Sequence, residues 1–308
     1  MFLYQIDNNK LNEIKEKPFQ KEIELHKLCE ANLEQIFGLQ FVKQEFALNN
    51  FRIDTLAFDK STNAFVIIEY KNTRNFSVID QGYAYLSLML NNKADFILEY
   101  NENCHDTLKR DDIDWSQSRV IFVSPMFSSY QQEAINFKDL PFELWEVKRF
   151  ENGTVYFKPI KASKTAESIK TIQTTNEGIN EVINQIKVYS KEDHLAGAND
   201  EIKELYEKIE SYIMGLDDTI DTKVKKNEIG FRYNQKIFID IHLQKKALKM
   251  WINLKAGELD DAKGLARDVR ATGHWGNGDY ELHLHDDENL EYVYSLIKQA
   301  YKKKKSEV

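Results

Sequence analysis

Two apolar runs joined by a short polar turn constrain the fold of this chain more than any other feature. The runs "FRIDTLAFD" (51–59) and "NAFVIIEYK" (63–71) are typical of β-strands, and the "DKSTN" that joins them is typical of a hairpin turn. The second run predicts a strand that the fold buries. It nevertheless ends in Glu69 and Lys71, two charged residues two positions apart.

The charges on this predicted hairpin indicate a functional site. Residues i and i+2 of a strand point to the same face, so Glu69 and Lys71 are expected to be neighbours. Pairing through the turn brings Asp54 alongside Glu69. Two carboxylates and an ammonium left unpaired on a sheet face would cost several kcal/mol, unless they pair with each other or hold a metal. Carboxylate oxygens are the hard ligands that suit Mg²⁺.

A helix before the hairpin and one after it carry further polar residues on defined faces. Between Glu22 and Phe37, apolar residues recur at helical spacing, and Glu22 falls within their stripe. The other carboxylates of this helix are expected to face solvent: Glu24, Glu30 and Glu34. After the hairpin, Ser77 is expected to cap a helix on which Gln81 and Tyr85, at i and i+4, share one face.

A helix Glu, a strand Asp, a Glu-x-Lys and a Gln-x-x-x-Tyr, in this order, resemble the PD-(D/E)XK nuclease superfamily. Within it, the catalytic domain of the endonuclease NucS is most similar, through "EIELHKLCEANLEQIFGLQFV", "FRIDTLAFD", "VIIEYKNT" and "VIDQGYAYL". The resemblance covers about residues 22–150. It implies a restriction-endonuclease-like mixed sheet flanked by helices, and a metal-dependent endonuclease-like protein that hydrolyses phosphodiester bonds of nucleic acid, with DNA as the expected substrate.

The same resemblance implies a role for each matching residue. Glu22, Asp54 and Glu69 would bind Mg²⁺ or Mn²⁺, and Lys71 would position or activate the attacking water. Gln81 and Tyr85 would support the site or the substrate backbone. Two features depart from the family: the DNA-binding domain that precedes the nuclease in NucS is expected to be absent, and Ile53 replaces the proline of the superfamily name.

The pattern of the whole chain predicts an α/β (α+β) protein. Residues 1–160 form the expected nuclease-like domain, 161–199 a linker that carries a helix, and 200–308 a smaller α+β domain with an antiparallel meander between helices. Further strands of the first domain are predicted at "FVKQEFAL", "DFILEY", "RVIFVSP", "FELWEVKRF" and "TVYFKPI".

The C-terminal part resembles an uncharacterised domain labelled "predicted transport protein" over about residues 194–301, although no segment is apolar enough to enter a bilayer. Two features of it invite a functional interpretation. His274, His283 and His285 could bind zinc, or could lie on a solvated strand face. Trp275 with three basic residues could contact nucleic acid, or Trp275 could be a buried turn residue; the basic residues are Lys263, Arg267 and Arg270.

Charge and cysteine content leave several functions open. The net charge of −8 disfavours nonspecific coating of nucleic acid but allows local binding. The two cysteines, Cys29 and Cys104, indicate a reduced, cytoplasmic protein.

Besides a nuclease, the same fold could serve as a nucleic-acid-binding module without turnover, or as a protein-interaction adaptor whose carboxylates form a structural ion-pair cluster. A homodimer or a protein partner bound through the C-terminal domain also stays open.

Overall fold

The chain divides into two units, Met1–Val188 and Tyr189–Val308, in a computed structural model that describes residues 2–72, 77–137, 139–163, 166–169, 177–272 and 276–307. The elements of the first unit are the strands β1 (Leu3–Asp7), β2 (Lys10–Ile14), β3 (Gln40–Leu48), β4 (Phe51–Asp59), β5 (Ala64–Tyr70), β6 (Arg119–Ser124), β7 (Phe142–Arg149) and β8 (Val155–Ile160), and the helices α1 (Glu22–Glu30), α2 (Leu33–Phe37), α3 (Val78–Asn91), α4 (Lys93–Asn103), α5 (Ser129–Ala134) and α6 (Glu177–Gln185).

A mixed sheet forms the centre of the first unit. Among the described residues it has six strands in the order β3-β4-β5-β6-β7-β8. β5, β6 and β7 run parallel, and the outer pairs are antiparallel. The predicted hairpin is confirmed, because β4 and β5 pair with Thr55 opposite Ile68 and Asp59 opposite Ala64. β1 and β2 form a separate two-stranded hairpin.

Both faces of the sheet are covered, which explains why β5 is apolar almost throughout. Phe65 and Ile67 pack in one core with residues of α3 and α4, whereas Val66 and Ile68 pack in another with residues of α1 and α2. Side chains alternate between the faces of a strand, so a strand with helices on both sides buries every position. All seven residues of β5 are buried.

Two local predictions are wrong. The segment "DFILEY" lies in helix α4 rather than in a strand, and it buries Phe96 and Tyr100, four residues apart, at helical spacing. The expected helix from Glu22 to Phe37 is broken into α1 and α2 by Ala31 and Asn32. Its predicted end is confirmed, because Gly38 adopts a left-handed conformation (φ 68°) after α2.

The second unit places an antiparallel sheet against helices. Its elements are α7 (Lys191–Leu195), α8 (Asp200–Met214), β9 (Asp221–Val224), β10 (Ile229–Tyr233), β11 (Lys236–Leu243), β12 (Leu248–Ile252), β13 (Arg267–Asp268), β14 (Tyr280–Leu284) and α9 (Leu290–Ser306). Among the described residues, the strand order is β13-β14-β12-β11-β10-β9, and neighbouring strands run antiparallel throughout. Apolar residues of α8 and α9 pack with those of the sheet in one core.

The predicted fold class, a mixed sheet flanked by helices followed by a smaller antiparallel α+β unit, is thereby confirmed. Helix α6 falls in the segment 161–199 that the sequence assigns to a linker, and its Val182 joins the core of the first unit. None of the helices in the described ranges is long and apolar enough to cross a membrane.

Candidate active site

Glu69 lies at the centre of the candidate site, and three side chains hold its carboxylate. Lys71 Nζ and Gln81 Nε2 lie 2.5 and 2.7 Å from Oε1, and Tyr85 Oη lies 2.9 Å from Oε2. Lys71 reaches Glu69 because the two residues share one face at the end of β5. Gln81 and Tyr85 lie one turn apart on α3, whose first turn is fixed by Ser77 Oγ, which accepts from Asp80 N–H.

Tyr85 has one hydroxyl hydrogen and two acceptors within reach. The carboxylate of Glu69 is 2.9 Å away, whereas the backbone carbonyl of Arg52 is 3.3 Å away. A carboxylate accepts more strongly than a carbonyl, so the hydrogen goes to Glu69. Burial, with the negative charge of Glu69, raises the pKa of Tyr85 well above its usual value, so the hydroxyl stays protonated and available as a donor.

The carboxylates of Asp54 and Glu22 accept hydrogen bonds from backbone amides at this same end of β5. Tyr70 N–H donates to Asp54 Oδ2 at 3.0 Å, and Asn72 N–H donates to Glu22 Oε2 at 2.8 Å. The three predicted carboxylates therefore come together around residues 69–72, although they derive from a helix and two strands. Glu22 is exposed, whereas Glu69 is almost completely buried.

Burial and mutual repulsion shape the electrostatics of this cluster. Desolvation raises the pKa of Asp54 and that of Glu69, and the negative charge of Asp54 raises the latter further. Lys71 opposes both shifts. Three carboxylates and one ammonium leave a net charge of −2 when all are ionised, which is the charge that a divalent cation would neutralise.

The carboxylate oxygens of this cluster are suitable ligands for a hard divalent cation, but only some of them are free to bind one. Among the residues that the structure describes, Asp54 Oδ1 and Glu22 Oε1 have no hydrogen-bond partner, so each carboxylate keeps a free oxygen. Both oxygens of Glu69 are occupied by Lys71, Gln81 and Tyr85. Within the same described residues, no three His, Cys, Asp or Glu side chains lie close enough together to form a metal site. A cation shared by all three carboxylates would therefore require them to draw closer.

A second group of polar residues, behind Asp54, was not predicted. His26 Nε2 lies 3.0 Å from Glu30 Oε1, 3.1 Å from Thr55 Oγ1 and 3.2 Å from the backbone carbonyl of Asp54. Thr55 donates to Glu30 at 2.7 Å. Burial lowers the pKa of His26, but the hydrogen bond and charge of Glu30 outweigh it, so the pKa is raised overall.

The expectation that Glu30 faces solvent is therefore wrong, since its side chain is largely buried against β4. The signal that could have found it is the pair of His26 and Glu30 at i and i+4, next to the apolar stripe of Leu25 and Cys29. Because one helical turn carries both polar groups towards the sheet, a partner such as Thr55 was to be expected there.

The structure gives little support to the two sites that the sequence predicts in the C-terminal part. His274 and Trp275 lie outside the described residues. The ring centroids of His283 and His285 are 5.2 Å apart. His283 Nε2 lies 3.2 Å from Gln244 Oε1, and His285 Nδ1 lies 3.2 Å from Lys246 O. Arg267 and Arg270 are paired with Glu281 and Asp268, and Lys263 Nζ lies 4.9 Å from the ring centre of Tyr292.

A protein of Haemophilus influenzae, described as an uncharacterized protein, is 50% identical to this chain over 302 residues, which cover 98% of this chain and all of the other. Residues 191–304 match the family described as a domain of unknown function (DUF5655).

Two solved structures show weaker likeness. The structure of an EndoMS–dsDNA2 complex is 20% identical over 43% of this chain and 47% of that one, with a TM-score of 0.28. The crystal structure of a repair endonuclease from Pyrococcus abyssi is 19% identical over 39% of this chain and 45% of that one, with a TM-score of 0.23. The chain thus spans less than half the length of either structure, and TM-scores this low do not establish a shared function.

Proposed function

We propose that this chain, which belongs to one family with the Haemophilus influenzae protein, is a metal-dependent endonuclease-like enzyme of the PD-(D/E)XK type. It would hydrolyse phosphodiester bonds of nucleic acid, with DNA as the expected substrate. The observation that supports this most directly is the convergence of Glu22, Asp54 and Glu69 around the end of β5, beside Lys71.

Glu22, Asp54 and Glu69 would hold Mg²⁺ or Mn²⁺ at this end of the sheet. The cation, when bound, would polarise a phosphodiester oxygen and lower the pKa of water. The free oxygens of Glu22 and Asp54 are the first donors available to it. Neutralising the repulsion between Asp54 and Glu69, which raises the pKa of Glu69, would favour binding.

Lys71 is the group that would act on the reacting atoms. Its side chain is 20% exposed, and its ammonium lies against Glu69, so the side chain has access to solvent from the site. In the reaction it would orient the attacking water, or stabilise the negative charge that develops on the phosphate. Gln81 and Tyr85 would keep the carboxylate of Glu69 in place while Lys71 changes partner.

Cleavage assays with substitutions in β4 and β5 test the proposal. Labelled single-stranded, duplex and branched DNA are incubated with the purified protein and Mg²⁺ or Mn²⁺. Asp54→Asn and Glu69→Gln should each lower the cleavage rate at least about a thousandfold, because each removes a metal-binding charge, and should leave DNA binding within a few-fold of wild type.

Asp59→Asn is the matched control. Asp59 is a carboxylate on β4, as the half-buried Asp54 is, but it is fully buried, ends the strand five residues further on and pairs with Arg119 at 2.9 Å. This variant should keep its cleavage rate at temperatures where it is folded. Binding by the wild type without any cleavage would favour a nucleic-acid-binding module, and the absence of both would favour a protein-interaction adaptor.

A further inference from the structure

A segment before α1, residues 15–21, crosses the edge of the first sheet at which the candidate site lies. At one end of this crossing segment, Lys17 N–H donates to Arg149 O at 2.7 Å, where β7 ends. Further along, the side chain of Asn72, just past β5, donates to Phe19 O at 3.3 Å. Because β6 lies between β5 and β7 and all three run parallel, the crossing segment passes along their carboxyl ends. In open α/β sheets, ligands bind outside this edge.

The backbone of the crossing segment is held in place by Arg149. Its Nε donates to Lys17 O at 3.1 Å, and its Nη2 donates to Pro18 O at 3.0 Å. The guanidinium also lies 4.5 Å from the ring centre of Phe19, which is buried. Side chains on a segment that is already fixed bind a ligand with a smaller loss of conformational entropy.

The crossing segment carries three lysines whose charges the fold leaves uncompensated. Lys15, Lys17 and Lys21 are exposed, and none of them forms an ion pair within the described part of the chain. The stretch around Glu16 is extended, because Glu16 forms an antiparallel bridge with β7, so Lys15 and Lys17 point to one side. Glu16 points to the other side, where it pairs with Lys148 at 3.4 Å. Three like charges within seven residues of a chain with a net charge of −8 favour an anionic ligand.

We propose that Lys15, Lys17 and Lys21 form a lysine strip that binds phosphates of the nucleic acid strand on the β7 side of the cleaved bond. Lysine binds phosphate as a point charge, so the strip holds the backbone without reading sequence. The ends of β5 and β7 are two strand spacings, or about 10 Å, apart. A stacked strand advances about 3.4 Å per nucleotide, so the strip meets phosphates about three nucleotides from the bond beside Lys71. This inference rests on the proposed function, and it adds the direction in which the bound strand leaves the site.

The salt dependence of binding tests the lysine strip without requiring cleavage. Fluorescence anisotropy measures the affinity of the full chain for labelled single-stranded and duplex DNA at several salt concentrations, with chelator present. Lys15→Gln combined with Lys17→Gln should weaken binding roughly five- to thirtyfold at low salt. The slope of log affinity against log salt concentration should become shallower by about 1.4 to 1.8, the value for two lost phosphate contacts. Lys21→Gln should make it shallower by a further 0.7 to 0.9, roughly.

Arginine at the same positions separates charge from structure. Lys15→Arg combined with Lys17→Arg keeps both positive charges, so this variant should preserve the affinity and the salt slope. Thermal melts followed by circular dichroism should show all of these variants folded, because the substituted side chains are exposed.

Lys60→Gln combined with Lys161→Gln is the matched control. Both residues are exposed lysines of the first unit, so this variant changes the net charge by the same amount. Lys60 lies in the turn before β5, and Lys161 directly follows β8, which runs antiparallel to β7. Both therefore lie at the opposite edge of the sheet. This variant should bind DNA within about twofold of the wild type, because salt screens exposed charges over such a distance.

Shortened oligonucleotides locate the strip relative to the cleaved bond, which is first mapped with the wild type and Mn²⁺. Removing the phosphates about three nucleotides away on one side should weaken binding to the wild type. The same removal should leave binding to the protein with Lys15→Gln and Lys17→Gln almost unchanged, because the two changes delete the same contact. Removal on the other side should affect both proteins equally.

Three outcomes would overturn the lysine strip. The two double glutamine variants could have the same affinity and salt slope, the arginine variant could bind as poorly as its glutamine counterpart, or shortening on either side could affect both proteins alike. In each case the wild type still binds and cleaves, and the proposed function stands. If the wild type neither binds nor cleaves any nucleic acid, the proposed function fails, and the strip fails with it.

Discussion

Each unit of the chain places a lysine beside two acidic residues, but the two clusters differ in how far they are sealed from water. In the second unit, Lys225 Nζ lies 2.8 Å from Glu228 and 2.9 Å from Asp240, and its side chain is only 2% exposed. Asn277 closes the cluster, because its backbone and side-chain N–H groups both donate to Asp240 Oδ2 at 2.8 Å. In the first unit, Lys71 contacts Glu69, and Asp54 keeps a free oxygen.

This difference distinguishes a structural ion cluster, in the second unit, from a candidate cation-binding site, in the first. The carboxylates of the second unit share one lysine and are sealed from water, so removing any partner would leave an uncompensated buried charge. In the first unit, burial and the negative charge of Asp54 raise the pKa of Glu69 against the opposing effect of Lys71, at a place that solvent reaches through Lys71 and Glu22. Unsatisfied charge of this kind is costly for folding and useful for binding a cation.

Replacing the lysine of each cluster by methionine should give the largest difference between the units, measured as the free energy of unfolding. Lys225→Met should lower the free energy of unfolding by about 3–5 kcal/mol, because Asp240 and Glu228 would stay buried without a counter-charge. Lys71→Met should lower it by less than about 1 kcal/mol, because Gln81 and Tyr85 still donate to Glu69. Urea denaturation followed by circular dichroism measures both values. Equal losses would mean that the candidate site is a structural cluster too.

A divalent cation should stabilise the protein through the first cluster. With Mn²⁺ at about a hundred times its dissociation constant, the free energy of unfolding should rise by about 2.7 kcal/mol, and chelation should reverse the gain. Thermal shift and titration calorimetry measure the effect and the affinity. Asp54→Asn should abolish the gain, and Asp59→Asn should retain it. A gain that survives Asp54→Asn would assign the cation to another place.

The smallest effect concerns the metal-free protein and its dependence on pH. Burial raises the pKa of Asp54 in the folded state above the usual 3.8 that it has in the unfolded state. At pH values between the usual pKa and the raised one, the folded state therefore binds more protons than the unfolded state. Stability therefore falls as the pH rises through this interval and stays reduced above it. At pH 7, Asp54→Asn should raise the stability of the metal-free protein, on the order of 1 kcal/mol or about 2–4 °C in Tm.

The corresponding change in the second unit should have the opposite sign. Asp240→Asn removes a charge that Lys225 neutralises, so it should lower Tm at pH 7. Thermal melts of both variants and of the wild type, at pH 7 and below the usual carboxyl range, give the comparison. A stabilising Asp240→Asn, or a destabilising Asp54→Asn, would remove the distinction between the two clusters.

Sequence reasoning reaches those parts of the site that depend on short-range periodicity. The spacing on a strand predicts that Glu69 and Lys71 are neighbours, and the spacing on a helix predicts that Gln81 and Tyr85 share a face. That the two pairs meet is implied only by the family resemblance. The hairpin turn set the register that aligns Asp54 with Glu69. Period and turn chemistry act over a few residues, so a single sequence contains them.

What sequence reasoning missed depends on contacts between distant segments. The apolar run of α4 is too short to distinguish a helix from a strand by periodicity, and its burial against β3 and β5 decides its structure. The helical pattern of α1 predicts a solvent-facing Glu30, because its partner Thr55 lies 25 residues away and leaves no local signal.

The single hydrogen of the Tyr85 hydroxyl couples the β3–β4 hairpin to the carboxylate at the centre of the candidate site. Glu69 and the backbone carbonyl of Arg52 compete for this one proton, and distance favours Glu69. A ligand that pressed the start of β4 closer to α3 would shift the hydrogen bond towards Arg52 and weaken the hold on Glu69. Contact at this end of the hairpin would thereby be transmitted to the acid across one phenol ring.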